Sequence, residues 1–187
     1  MILVFAVTGL RTSECRGLRW CNFDAANSLL SVTHGLGRKG LSTPKSKGSE
    51  RTIALPQLVS QYLQAWRGSS PFSQDDDFIF CWPDGHPYSD TYLRVYVLYP
   101  ALKRAGIEIV PRQRAFHMFR HTLASQVWER TGNAKAVQEL LGHANITTTM
   151  NIYVHLDEQS KAGAVLPVSS EIAAAVEWPE IASEIAN

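Results

Sequence analysis

The sequence predicts an α+β, mainly helical domain with a small antiparallel β-sheet at one edge. Three observations lead there. Apolar residues recur at helical spacing from residue 58 onward, strand-like alternation is confined to residues 29–55, and 187 residues with 45% hydrophobic side chains suffice to bury one core.

Residues 2–7 are uniformly apolar and stop at Gly9, the pattern of a short core helix. The run has no basic region before it and leads into Thr8-Gly9-Leu10-Arg11 instead of a small-residue cleavage site, so it does not read as a secretion signal. Thr12, Ser13 and Glu14 offer capping oxygens for a second short helix that includes Leu18 and Trp20, which places Arg11 at the junction of the two. Residues 29–33 alternate, residues 35–42 are turn-rich, and residues 51–55 form a β-like run, together an antiparallel sheet with a basic hairpin. Leu58, Tyr62, Ala65 and Trp66 fit one face of a helix. Residues 78–80 read as a buried segment, Pro83-Asp84-Gly85 as a turn, and Ser89 as the cap of a helix that reaches Ala105-Gly106 with a kink at Pro100. Phe119, Leu123, Val127 and Trp128 mark a helix from about Phe116 to Gly132, and Val137, Leu140 and Leu141 a shorter one ending at Gly142-His143. Asn145 and the threonines at 147–149 can cap a helix bearing Tyr153, and Ser169 a last amphipathic segment with Ile172 and Val176.

Three cysteines without CxxC spacing indicate neither a disulfide framework nor a thiolate zinc site, and a reducing, cytoplasmic setting fits them. The net charge of +1 is unevenly divided. Residues 157–187 hold six acids against Lys161 alone, which leaves 17 bases against 11 acids in residues 1–156. A basic body with an acidic tail suits contact with a polyanion better than the total suggests.

Taken singly, the polar residues of interest have ordinary structural roles open to them. Arg11 can be a surface arginine, Lys45 a solvated hairpin charge, His117 and His143 helix-end groups, and Tyr153 a core aromatic with its hydroxyl at the rim. Their order and context are more specific. The chain reads TGLRTSE around Arg11, TPKSKGSERTIAL around Lys45 and Lys47, HMFRHTLAS around His117 and Arg120, and LLGHANITTTMNIYVH from His143 to Tyr153. These four segments resemble, in order and separation, the signatures of the tyrosine recombinase (phage integrase) family, and the resemblance runs over roughly residues 3–156. Phe119 stands where a leucine is usual in the family and Cys15 where a larger aliphatic is usual.

The resemblance implies a tyrosine-recombinase catalytic fold over residues 1–156, with the family's amino-terminal core-binding domain and first catalytic-domain helix absent, followed by an acidic tail over 157–187 that can dock on a neighbouring subunit. It implies that Arg11 is the first active-site arginine, His117 and Arg120 the HxxR pair, His143 the histidine of the LGH segment, and Tyr153 the nucleophile. The active-site lysine is Lys45 or Lys47, with Lys45 favoured by its place in PKSK. Such residue types suit the chemistry. Forked guanidinium groups match the oxygens of a phosphodiester, and a tyrosine with a free pKa of about 10 needs nearby cations or a base to act as a nucleophile at neutral pH. The implied reaction is site-specific recombination of double-stranded DNA through a 3′-phosphotyrosyl intermediate, without cofactor or metal. A homotetramer on DNA, a monomer when free, no membrane partner and help from accessory DNA-bending proteins complete the expectation.

Rival readings remain open at this point. A DNA-binding remnant of an integrase would keep the fold without the reaction, and a type IB topoisomerase would relax supercoils without strand exchange. His117 and His121 have the i, i+4 spacing of a zinc-binding helix, although no glutamate follows the first histidine and Arg120 stands between them.

Overall fold

The structure, a computed structural model, describes residues 1–37, 40–42, 50–108, 116–142 and 147. The opening apolar run forms α1 (Ile2–Thr8), with Val4, Phe5 and Thr8 buried as a core helix requires. Gly9 ends it at φ +59°, where its N–H bonds back to the Phe5 carbonyl. Glycine takes this left-handed conformation without a Cβ penalty, and here a Cβ would also stand 3.1 Å from both Leu123 and Leu141.

The next helix, α2 (Thr12–Arg16), is shorter than the sequence led us to expect and is capped differently. Arg11 occupies the cap position, the Glu14 carboxylate accepts its backbone N–H at 2.9 Å, and Gly17 ends the helix before Leu18 and Trp20. Those two side chains are buried all the same. Trp20 opens a 3₁₀ turn (Trp20–Asn22), and its indole N–H donates to the Phe72 carbonyl at 2.8 Å.

Among the described residues five short strands follow: β1 (Phe23–Asp24), β2 (Leu29–Val32), β3 (Gly35–Gly37), β4 (Gly40–Ser42) and β5 (Arg51–Ala54). An antiparallel sheet runs in the order β1-β2-β5, with Leu30 opposite Ile53 and Val32 opposite Arg51. The turn-rich stretch becomes a separate antiparallel ladder of β3 on β4. Leu30, Val32, Ile53 and Leu55 are buried, so the inner face of the three-stranded sheet joins the core.

Helix α3 (Gln57–Ser69) forms where periodicity placed it, but on a different face. Leu58 is 43% exposed and Ala65 is exposed, whereas Val59 and Leu63 are buried and Trp66 packs against the core. Both sets of residues have helical spacing and share Trp66. The Trp66 indole N–H, which donates to the Ile79 carbonyl at 2.8 Å, goes with the Val59 set. Ser89 caps the next helix through a 3.1 Å bond from the Tyr92 N–H. That helix runs as α4 (Asp90–Tyr92), a π-helical stretch (Leu93–Leu98) and α5 (Tyr99–Arg104). Pro100 has no N–H to offer the preceding turn, and a wider π turn lies just before it.

Two helices complete the described residues: α6 (His117–Thr131), closed by Gly132 at φ +59°, and α7 (Ala134–Leu141), closed by Gly142 at φ +62°. The Asn133 side chain caps α7 by accepting the N–H groups of Lys135 and Ala136 at 2.9 and 3.1 Å. Phe5 lies between α1 and α6 with no exposed surface, its ring 4.4 Å from that of Phe116 and 6.4 Å from that of Phe119. Phe5→Ala is therefore expected to cost about 3–5 kcal/mol of stability in urea denaturation. A loss below about 1 kcal/mol would contradict this packing.

Candidate active site

Arg120 sits one turn into α6 and points inward, only 4% exposed. One terminal nitrogen donates to the Gly9 carbonyl at 2.8 Å, and the other donates to the Leu141 carbonyl. These acceptors are the carboxy-terminal ends of α1 and α7, where unpaired carbonyls and the helix dipole give partial negative charge. The buried cation is thus met by two helix ends instead of by water. Burial lowers its pKa, repulsion from Arg11 and Arg51 adds to this, and Glu14 opposes it. The result is about 9, so the group stays charged at neutral pH.

Arg11 arrives from the junction after Gly9, its side chain 35% exposed. Its guanidinium donates to Glu14 Oε1 at 2.6 Å and, with the other terminal nitrogen, to the Gly142 carbonyl at 3.4 Å. Arg11 and Arg120 therefore hold successive carbonyls, those of Gly142 and Leu141, of a single turn. This brings the arginine of the TGLR segment and the arginine of the HxxR pair to one place.

Glu14 is buried, and its carboxylate accepts four donors. Besides the two from Arg11, Arg51 Nη2 and Nη1 donate at 3.0 and 3.3 Å from the first residue of β5. Burial by itself would raise the Glu14 pKa. The hydrogen bonds and charges of Arg51 and Arg11 together outweigh it and hold the carboxyl below the ordinary glutamate range. Arg51 in turn packs on the turn that ends α7, where a Cβ on Gly142 would lie 2.9 Å from its Nη1. Sequence reasoning missed both residues. Glu14 had a usable signal, an acid three residues after a helix cap. Arg51 had a fainter one, its two-residue alternation with the buried Ile53 and Leu55.

His117 is the first residue of α6, and His121 lies one turn on, with ring centroids 6.1 Å apart. Burial, then the charge of Arg120, lowers the His121 pKa. No group of three or more His, Cys, Asp or Glu side chains is arranged to hold a metal ion among the described residues, so the histidine pair gains no third ligand there. Lys45, Lys47, His143 and Tyr153 lie outside the described residues, as do Arg38, Lys39, Arg112 and Arg114. Two further basic residues, Arg16 and Arg19, make contacts within the fold. Arg16 braces the Tyr88 and Leu36 carbonyls at 2.7 and 3.2 Å, and Arg19 pairs with Asp76 at 3.4 Å over the Phe78 ring.

The fold is mainly helical α+β, and solved structures share it. The integrase of the transposon Tn1549 in complex with a circular intermediate DNA matches with a TM-score of 0.66 at 27% identity, over 86% of this chain and 57% of that one. The XerH site-specific recombinase bound to palindromic difH substrate, in a post-cleavage complex, matches with a TM-score of 0.65 at 25% identity, over 86% of this chain and 42% of that one. The fold is that of a tyrosine recombinase catalytic domain. The profile of the phage integrase family matches residues 1–160, and the chain belongs to that family. Relatives include a XerC-like tyrosine recombinase of Caldanaerobacter subterraneus subsp. tengcongensis, 32% identical over 84% of this chain and 45% of that protein. Another is the tyrosine recombinase XerC of Xylella fastidiosa, 36% identical over 85% of this chain and 48% of that protein. The chain spans about half the length of the curated relatives it matches.

The depressed Glu14 pKa links the site to stability. A carboxyl whose folded pKa lies below its unfolded value of about 4.3 contributes stability that is fully present above that value and is lost as pH falls through the folded one. Glu14→Gln should therefore flatten the acid limb of a stability-against-pH curve below about pH 4.3. Denaturant titrations from pH 6 downward on both proteins check this, and acid limbs of equal steepness would contradict the ion pairs described.

Proposed function

We propose that residues 1–156 are the catalytic domain of a site-specific DNA recombinase, which integrates or excises DNA by breaking and rejoining strands, and that residues 157–187 are an acidic tail. The observation that carries this reading is the placement of Arg11 and Arg120 on adjacent carbonyls of the turn after α7, in a chain of the phage integrase family. The DNA complexes of the Tn1549 integrase and XerH support double-stranded DNA as the partner.

In this reading Arg11 and Arg120 bind the non-bridging oxygens of one phosphodiester and balance the charge that builds as phosphorus is attacked. The Tyr153 hydroxyl oxygen forms the new bond to phosphorus while His117 accepts its proton. The bond from phosphorus to the 5′-oxygen breaks, and Lys45, or Lys47 in its place, delivers the proton that lets that oxygen leave. His143 donates a hydrogen bond to the phosphate. The 3′-phosphotyrosyl link conserves the energy of the broken bond, so a 5′-hydroxyl of another strand can reverse the step without nucleotide. Because guanidinium groups carry the electrostatic work, no metal or cofactor is required.

The protein acts in the cytoplasm, where its DNA lies, as a homotetramer on DNA and a monomer when free, with accessory DNA-bending proteins. No helix among the described residues is long and apolar enough to cross a membrane. The acidic tail, with Ile172 and Val176, docks on a neighbouring subunit.

A nicked suicide duplex resolved by denaturing electrophoresis tests the chemistry. The wild-type chain should form a covalent adduct that is unaffected by chelators, and Tyr153→Phe should form none. An adduct that persists in Tyr153→Phe, or one abolished by EDTA, would refute the assignment. Deleting residues 160–187 should weaken multi-subunit assembly in gel-shift titrations while sparing cleavage at a single site, and unchanged assembly would remove the tail from the scheme.

A further inference from the structure

We propose that Arg51 is a positioning residue of the active site, acting through Glu14 to hold the Arg11 guanidinium toward the phosphate. This rests on the recombinase reading for its functional meaning, and the geometry that supports it is independent of that reading. Arg51 is held on three sides. As the first residue of β5 it pairs with Val32 of β2, so the register of the sheet sets its Cα. Its two terminal nitrogens grip the two oxygens of Glu14 at 3.3 and 3.0 Å, the forked geometry that fixes orientation as well as distance. Its aliphatic stem and guanidinium lie against the Gly142 turn, close enough that even a methyl group there would clash.

Each of those contacts leads to Arg11. Glu14 holds Arg11 twice, through its backbone N–H and its guanidinium, and the Gly142 carbonyl is the other acceptor of the same guanidinium. Arg51 therefore sets both groups against which Arg11 is aligned. A second consequence concerns charge. Glu14 is shared between two arginines, so Arg11 keeps attraction for an anion instead of being neutralised by a dedicated partner.

The test uses the full chain with three variants: Arg51→Met, which keeps the stem and removes the fork, Arg51→Lys, which restores charge with a single donor, and Glu14→Gln. One arm follows the guanidinium ¹⁵N resonances of Arg11, which are resolved only while rotation of the group is restrained. The other measures single-turnover cleavage of the suicide duplex alongside duplex affinity. In Arg51→Met the Arg11 resonances should collapse and cleavage should slow by roughly 100-fold, with affinity for the duplex changed by less than about 3-fold. Arg51→Lys should recover part of the rate. Adding Arg51→Met to Glu14→Gln should slow cleavage little further, because both act through one contact.

Restrained Arg11 resonances with a wild-type cleavage rate in folded Arg51→Met would overturn the proposal, as would fully additive effects of the two substitutions. If Arg51→Met does not fold, Arg51→Lys decides by the same readouts. If the wild-type chain itself forms no adduct, the recombinase reading fails, and the Arg11 resonances still decide whether Arg51 positions that group.

Discussion

A guanidinium taken out of water must be compensated, and much of the site architecture described above is arranged around that requirement at Arg120. A buried charge with no partner would cost several kcal/mol. Here two carbonyls at the ends of α1 and α7 supply the partners, and they can do so only because both helices stop at left-handed glycines, Gly9 and Gly142. The same turns set the path of the chain into Arg11 and place the acceptor that Arg11 uses. Satisfying one buried cation thus assembles the neighbourhood of a second.

The charge balance that results is deliberately incomplete in physical terms. Among the described residues, Arg11, Arg51 and Arg120 gather around one carboxylate, Glu14, and the surplus there is positive. Water at the rim screens only part of it, and an anion entering beside Arg11 relieves repulsion that the folded protein otherwise carries. The mutual repulsion of the arginines and their attraction for a phosphate are two aspects of one arrangement.

How much of this was legible in the sequence depended on whether a residue's role was local. The elements announced themselves through periodicity and through glycine stops, and the TGLR and HxxR segments pointed to Arg11 and Arg120 by their surroundings. What went astray was geometry that a window of residues does not contain. Leu58 and Val59 both begin acceptable helical faces, and only the tertiary partner of Trp66 chooses between them. The capping oxygens at 12–14 point to a helix that includes Leu18 and Trp20, whereas the glycine at 17 stops it first. Arg51 was overlooked because a charged side chain is assumed to face solvent, even though its alternation with Ile53 and Leu55 put it on the inner face of β5. Its ion pair with Glu14 spans 37 residues, and no short-range pattern records it.

The anchors of both site arginines across the turn after α7 are main-chain carbonyls, and this shapes how the site can vary over evolutionary time. No codon change deletes a carbonyl, so the acceptors survive every substitution at residues 9, 141 and 142. At those three positions a substitution damages the contacts by bending the backbone, and the sensitive ones are then the small residues that permit the bend. Two glycines that touch no substrate should accordingly tolerate as little drift as the cations they serve.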